Sequence, residues 1–146
     1  MVFKKTNLEK LALMLFHKNK TLSKKVLIID GQAGCGKTLF NRILGSTNKI
    51  EIYRYSSELE NICAFYKYRK ISFDSAKFFI ETYADETLYS QMMARNTNFR
   101  YTDLSSVFQS SKKKIYFKRL FSEGDSVVPS LINKYQPILH FSTHNI

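Results

Sequence analysis

Apolar and polar positions alternate along the chain in blocks that predict strands separated by helices. Between Lys25 and Asp30 the run Val26-Leu27-Ile28-Ile29 is short, aliphatic and bounded by charge, the pattern of a buried strand in a parallel sheet. From Thr38 to Leu44 the residues Leu39, Phe40, Ile43 and Leu44 recur at helical spacing, and the pattern stops at Gly45, a glycine suited to a helix C-cap. Lys49 to Tyr55 alternates with period two and predicts a second strand. Ser57 with Glu60 reads as a capping box opening a helix through about Arg69. Asp74 is placed to cap the next helix, whose apolar side holds Phe78, Phe79, Tyr83, Leu88, Met92 and Met93. Further helical stretches fall within Ser105 to Leu120 and within Ser126 to Lys134. Gln136 to Ser142 then reads as a third strand, entered through Pro137. At the start, Leu8, Leu11, Ala12 and Leu15 share one face of an amphipathic helix expected within residues 1–24.

Strands separated by helices predict an α/β domain with a parallel sheet. The 146 residues suit one domain with a real core, and 44% hydrophobic with 14% aromatic content indicates a globular chain. Its parts are the N-terminal helix (1–24), a strand-loop-helix-strand core (25–55), a helical substrate region inserted between strands two and three (56–135), and the third strand (136–146).

The turn between the first strand and its helix is the most informative stretch. Residues 31–38 read Gly-Gln-Ala-Gly-Cys-Gly-Lys-Thr, a full match to the phosphate-binding loop G-x-x-x-x-G-K-[ST] in its proper strand-to-helix context. Gly31, Gly34 and Gly36 permit backbone angles closed to other residues, so successive N–H groups can turn toward an anion. The helix beginning near Lys37 adds its unpaired N–H groups and positive dipole end. Lys37 is placed to reach the outer phosphates, and Thr38 to offer its hydroxyl to magnesium. The expected donor-binding set is Gly31, Gln32, Ala33, Gly34, Cys35, Gly36, Lys37, Thr38 and Leu39. These features predict a three-layer P-loop fold with strand order 2-3-1. Three strands are fewer than that fold usually has, so the sheet is expected to be completed by a missing C-terminal half or a partner chain.

Charge and cysteine content narrow the picture only slightly. Lys and Arg number 23 against 12 Asp and Glu, a net charge of +11. The basic residues are scattered and no nucleic-acid module accompanies them, so specific nucleic-acid binding is not expected. Cys35 and Cys63 make neither a disulfide framework nor a metal cluster. Cys35, inside the loop, reads as a free thiol of a reducing compartment. No segment approaches the roughly 20 apolar residues of a membrane span, and a cytoplasmic location is expected.

Two further sets of residues bear on chemistry. Arg95 and Arg100, in the polar stretch after the long apolar helix, could clamp an anionic substrate or the transferring group, though a solvated loop between helices is the favoured reading. A magnesium-dependent P-loop enzyme usually carries an Asp at the end of a second apolar strand, whereas here Asp30 ends the strand before the loop itself and the third strand ends in Ser142-Thr143-His144.

That ending carries a resemblance. Pro137-Ile138-Leu139-His140-Phe141-Ser142-Thr143-His144 resembles the segment of nucleotide-dependent sulfotransferases in which a strand ends in Thr-His. The resemblance implies that His144 is the general base on an acceptor hydroxyl and that residues 31–38 hold the 5′-phosphosulfate of adenosine 3′-phosphate 5′-phosphosulfate, without metal. The complete Gly-Lys-Thr ending departs from that family and resembles the ATP and GTP binders of the P-loop superfamily. The leading expectation is therefore a nucleotide-dependent group transferase, kinase-like, using ATP or GTP with Mg2+ on a small-molecule or glycan acceptor. Lys37, His144, Arg95 and Arg100 are its candidate catalytic residues. Sulfuryl transfer and a nucleotide-binding module without chemistry are the alternatives.

Overall fold

The computed structural model describes Lys18, residues 20–122 and residues 124–144, with the backbone alone at 125 and 126. The expected N-terminal helix face of Leu8, Leu11, Ala12 and Leu15 lies outside the described residues. In chain order the elements are β1 (Val26–Ile29), α1 (Lys37–Gly45), β2 (Arg54–Tyr55), α2 (Ser57–Lys67), α3 (Phe73–Met92), a 3-10 turn (Val107–Gln109), α4 (Lys113–Leu120), α5 (Gly124–Tyr135) and β3 (Leu139–Ser142). The three strands form a parallel sheet in the order β1-β3-β2, with Val26 opposite Leu139 and Arg54 opposite Phe141. The chain is thus an α/β protein with a small parallel sheet.

The register of β3 decides what lies on each face, because successive side chains of a strand point to opposite sides. Leu139 and Phe141 are fully buried against Leu59 of α2, Leu88 and Met92 of α3, and Val128 and Ile132 of α5. His140, between them in sequence, points to the other face, where its Nε2 meets Asn41 Oδ1 of α1 at 2.9 Å. Helices therefore cover β3 on both sides, and its four residues are all buried. A second, smaller core of Ile52, Ala94, Val107 and Tyr116 lies under the segment after α3.

Several predicted element boundaries differ from those observed. The strand over Lys49 to Tyr55 is interrupted: Ile50 bridges Ile138, and regular pairing resumes only at Arg54. Between them Ile52 N–H bonds Tyr116 Oη at 3.3 Å and Ile52 carbonyl accepts from Gln91 Nε2 at 3.1 Å, so helix side chains satisfy backbone groups that a ladder would otherwise use. The caps fall one and two residues early: Ser56 accepts from Leu59 N–H and Ser72 from Ser75 N–H. Ser57 and Asp74 instead lie in the first turns of α2 and α3. The helical stretch expected within Ser105 to Leu120 is α4, preceded by the separate 3-10 turn.

β1 is less covered than its composition predicts. Val26 and Ile28, which share one face of β1, are each 42% exposed, and β1 pairs on one edge only among the described residues. The chain before it is clipped to α3: Asp85 Oδ1 accepts from the N–H groups of Leu22 at 2.9 Å and Ser23 at 2.7 Å. Its other oxygen lies 2.7 Å from Lys18 Nζ.

Candidate functional site

The glycine loop joins β1 to α1 as predicted. Gly31, Gly34 and Gly36 have φ of 146°, 83° and 85°, values that side-chain-bearing residues rarely adopt. A Cβ at Gly31 would also stand 3.2 Å from Cys35 Sγ. No side chain caps α1, so the N–H groups of Lys37 and Thr38 open the helix without an intrahelical acceptor. Lys37 is turned back over the loop: its ammonium donates to the Gly31 carbonyl, to the Gln32 carbonyl at 2.7 Å, and lies 3.9 Å from Cys35 Sγ.

A cleft of about 320 Å3 opens from this helix start toward the inserted helices. Lys37 and Thr38 form one wall, Ser142 and His144 at the end of β3 the floor, and Tyr53, Arg54 and Tyr55 another side. Gln91, Asn96, Thr97, Asn98, Ser105 and Tyr116 of the insertion close it. No carboxylate belongs to this lining among the described residues. Sequence-predicted Lys37, Thr38 and His144, 107 positions apart from first to last, thus share one cleft at the C-terminal ends of parallel strands, the usual ligand position in open α/β sheets.

His144 is held from behind. Glu60 Oε1 accepts its backbone N–H and lies 3.8 Å from its Nδ1. The other oxygen, Oε2, accepts from Tyr55 Oη at 3.1 Å, and the Tyr55 and His144 rings stand 4.7 Å apart. The hydrogen bond to Glu60 raises the pKa of Tyr55, helped by burial and by the charges of Glu60 and Glu58. Sequence reading took Glu60 for half of a capping box; its other use was invisible because His144 is 84 residues away.

Arg95 and Arg100 do not line the cleft. α3 ends in a reversed turn with Ala94 and Asn96 at φ 53° and 52°, closed by Arg95 N–H on the Ser90 carbonyl at 2.7 Å. Exposed Arg95 lies beside Gly124, while Asn96, Thr97 and Asn98 face the cleft. Arg100 pairs with Asp103 at 3.7 Å and its side chain is 80% exposed. Asn98 staples this loop by donating to Asp103 Oδ2 at 3.1 Å and Ser105 Oγ at 2.9 Å.

Asp30 accepts a 2.8 Å bond from Thr143 Oγ1, tying the end of β1 to the end of β3. Beneath the cleft, His140 is fully buried and its pKa is pushed down to about 4, chiefly by burial; the Glu51 backbone opposes the fall and the charge of Lys112 adds to it. A larger cavity of about 490 Å3 runs along the flank of α1 past Arg42, Ser46 and Gln109. It shares Ile52 and Tyr53 with the cleft but holds none of Lys37, Thr38 or His144. No protein-family model, curated protein or solved structure matches the chain. No helix among the described residues is long and apolar enough to cross a membrane.

Proposed function

We propose that the chain is a P-loop nucleotide-dependent group transferase, kinase-like, that holds the phosphates of ATP or GTP on residues 31–38. The observation that carries this reading is the loop itself: positive φ at Gly31, Gly34 and Gly36 between a parallel strand and a helix, with Lys37 and Thr38 opening that helix. Lys37 would leave the carbonyls of Gly31 and Gln32 for the outer phosphate oxygens, where both partners are charged and the contact is stronger than one to an uncharged carbonyl. Backbone N–H groups of the loop and of the first turn would bind and orient the phosphates. In the finer fold assignment that goes with this proposal, β1, β3 and β2 belong to a three-layer P-loop sheet.

No three His, Cys, Asp or Glu side chains gather to hold a metal among the described residues. The residues present therefore fit a magnesium ion carried by the nucleotide, with Thr38 as its protein ligand, and do not fit one caged by protein carboxylates. Bound so, the ion neutralises charge on the transferring group.

His144 would take the acceptor's proton, with Glu60 fixing the imidazole and accepting from its backbone. Neutral amides and hydroxyls of Gln91, Asn96, Thr97, Asn98 and Ser105 would orient a small, polar acceptor. Sulfuryl transfer from adenosine 3′-phosphate 5′-phosphosulfate is the second reading. It is favoured by one specific observation: a carboxylate-backed histidine in a cleft whose described lining has no carboxylate for a metal.

Calorimetry tests both. Magnesium-dependent ATP binding that disappears in Lys37→Ala supports the kinase-like reading. Preference for the phosphosulfate nucleotide, indifferent to magnesium, replaces it with the second, and binding of neither overturns both.

A further inference from the structure

A second group of cations, at the end of the sheet where β3 begins, takes no part in the nucleotide reading. A cavity of about 280 Å3 lies between residues 48–51, α4 and the Tyr135–Pro137 turn, with Lys49, Lys112, Lys118 and Arg119 in its lining. The one carboxylate of that lining is Glu51, and its oxygens are taken. Arg119 grips both, at 2.7 and 3.0 Å, and Tyr116 Oη donates to Oε2 at 2.6 Å. Lys112 is only 6% exposed. Its ammonium donates to the Ile50 carbonyl, which leaves two N–H donors without an acceptor among the described residues. Among the described residues no carboxylate forms an ion pair with Lys112, Lys49 or Lys118. A buried ammonium beside a carboxylate already gripped by an arginine is costly unless a further anion compensates it. Burial does lower the pKa of Lys112; the charge of Glu51 opposes this and that of Arg119 adds to it.

We propose that this cavity is an anion site separate from the glycine loop, taking inorganic phosphate or a small phosphomonoester. The dianion would accept from the free N–H donors of Lys112, with the exposed Lys49 and Lys118 closing over its outer oxygens. The cavity lies just below the usual size range of ligand pockets, which suits a small molecule and excludes a polymer threaded through it. The inference goes beyond the nucleotide reading and does not rest on it.

Inorganic phosphate is the probe, followed by backbone amide chemical shifts of the full chain at constant ionic strength set with sodium chloride. Saturable shifts are expected at residues 48–51 and 112–119, and they persist in Lys37→Ala, where the loop is disabled. In Lys112→Met the apparent affinity at this second set falls at least about tenfold. Should that variant not fold, the surface double variant Lys49→Gln/Lys118→Gln is expected to weaken the same shifts severalfold with the fold intact. The proposal is overturned if phosphate perturbs only residues 31–38, if chloride alone reproduces the shifts, or if these variants leave the second set unchanged. A methyl phosphate titration then sorts the ligand's source: equal affinity admits a phosphomonoester, and rejection restricts the site to the free ion.

Discussion

The two ends of the small sheet treat positive charge in opposite ways. Where β3 ends, Lys37 sits in a polar, partly open cleft, and among the described residues its ammonium meets main-chain carbonyls and a thiol. Where β3 begins, Arg119 is 8% exposed and locked bidentately on Glu51, itself 3% exposed, with Tyr116 completing the carboxylate's shell. The first arrangement keeps a cation transferable, since each bond it holds is weak and replaceable. The second spends its cation on holding the chain together: Glu51 precedes the broken second strand, and Tyr116 and Gln91 bond the main chain of Ile52 next to it. Charge serves recognition where it is solvated and neutral groups hold it, and architecture where it is buried and paired.

The contrast breaks hardest at Glu51. Glu51→Ala strands Arg119 in the interior and is expected to cost about 3–5 kcal/mol of stability, read as a fall in the urea midpoint. Lys37→Ala should do the reverse. Unfolding stability moves by less than about 0.5 kcal/mol at this partly exposed loop position, while calorimetric nucleotide affinity drops by about 100-fold or more. If the two variants exchange these phenotypes, the comparison is wrong.

The buried His140, lying between the two ends, makes the third test. Its folded pKa of about 4 lies below its ordinary 6.5, so the unfolded chain binds the extra proton first. Stability contributed by the neutral ring is therefore complete above about pH 6.5 and is lost as pH falls toward 4. Its loss is on the order of 3 kcal/mol. Urea midpoints measured across that window should fall steeply for the natural chain and less steeply for His140→Gln. The smallest expected effect is at the base. Glu60→Gln should bring the raised Tyr55 titration back toward its ordinary value, followed by carbon NMR of labelled tyrosines, and leave nucleotide affinity within about twofold.

The sequence made the loop legible because all of its chemistry is local: eight consecutive residues carry the glycines, the lysine and the hydroxyl. Leu139 and Phe141 on one face of β3 likewise follow from their period of two, and the parallel strands from the helices between them. What was hidden depends on long-range partners. The break in the strand at Glu51 arises from Tyr116 and Arg119, at separations of 65 and 68 residues, which no local propensity records. Arg95 and Asn96 are adjacent in a polar stretch, and only the left-handed turn at Ala94 and Asn96 decides which of them meets the cleft. The exposure of Val26 and Ile28 was masked by composition, since a covered and a half-covered strand of Val, Leu and Ile read alike.

Lys37's attachment to its own loop makes binding an exchange reaction. Any ligand must offer oxygens good enough to win an ammonium away from the carbonyls of Gly31 and Gln32. Under the proposed function, neutral or weakly charged molecules would lose that competition, whereas a polyphosphate would win it with several oxygens at once. The loop would thereby discriminate by charge density before any contact with a base or sugar is made.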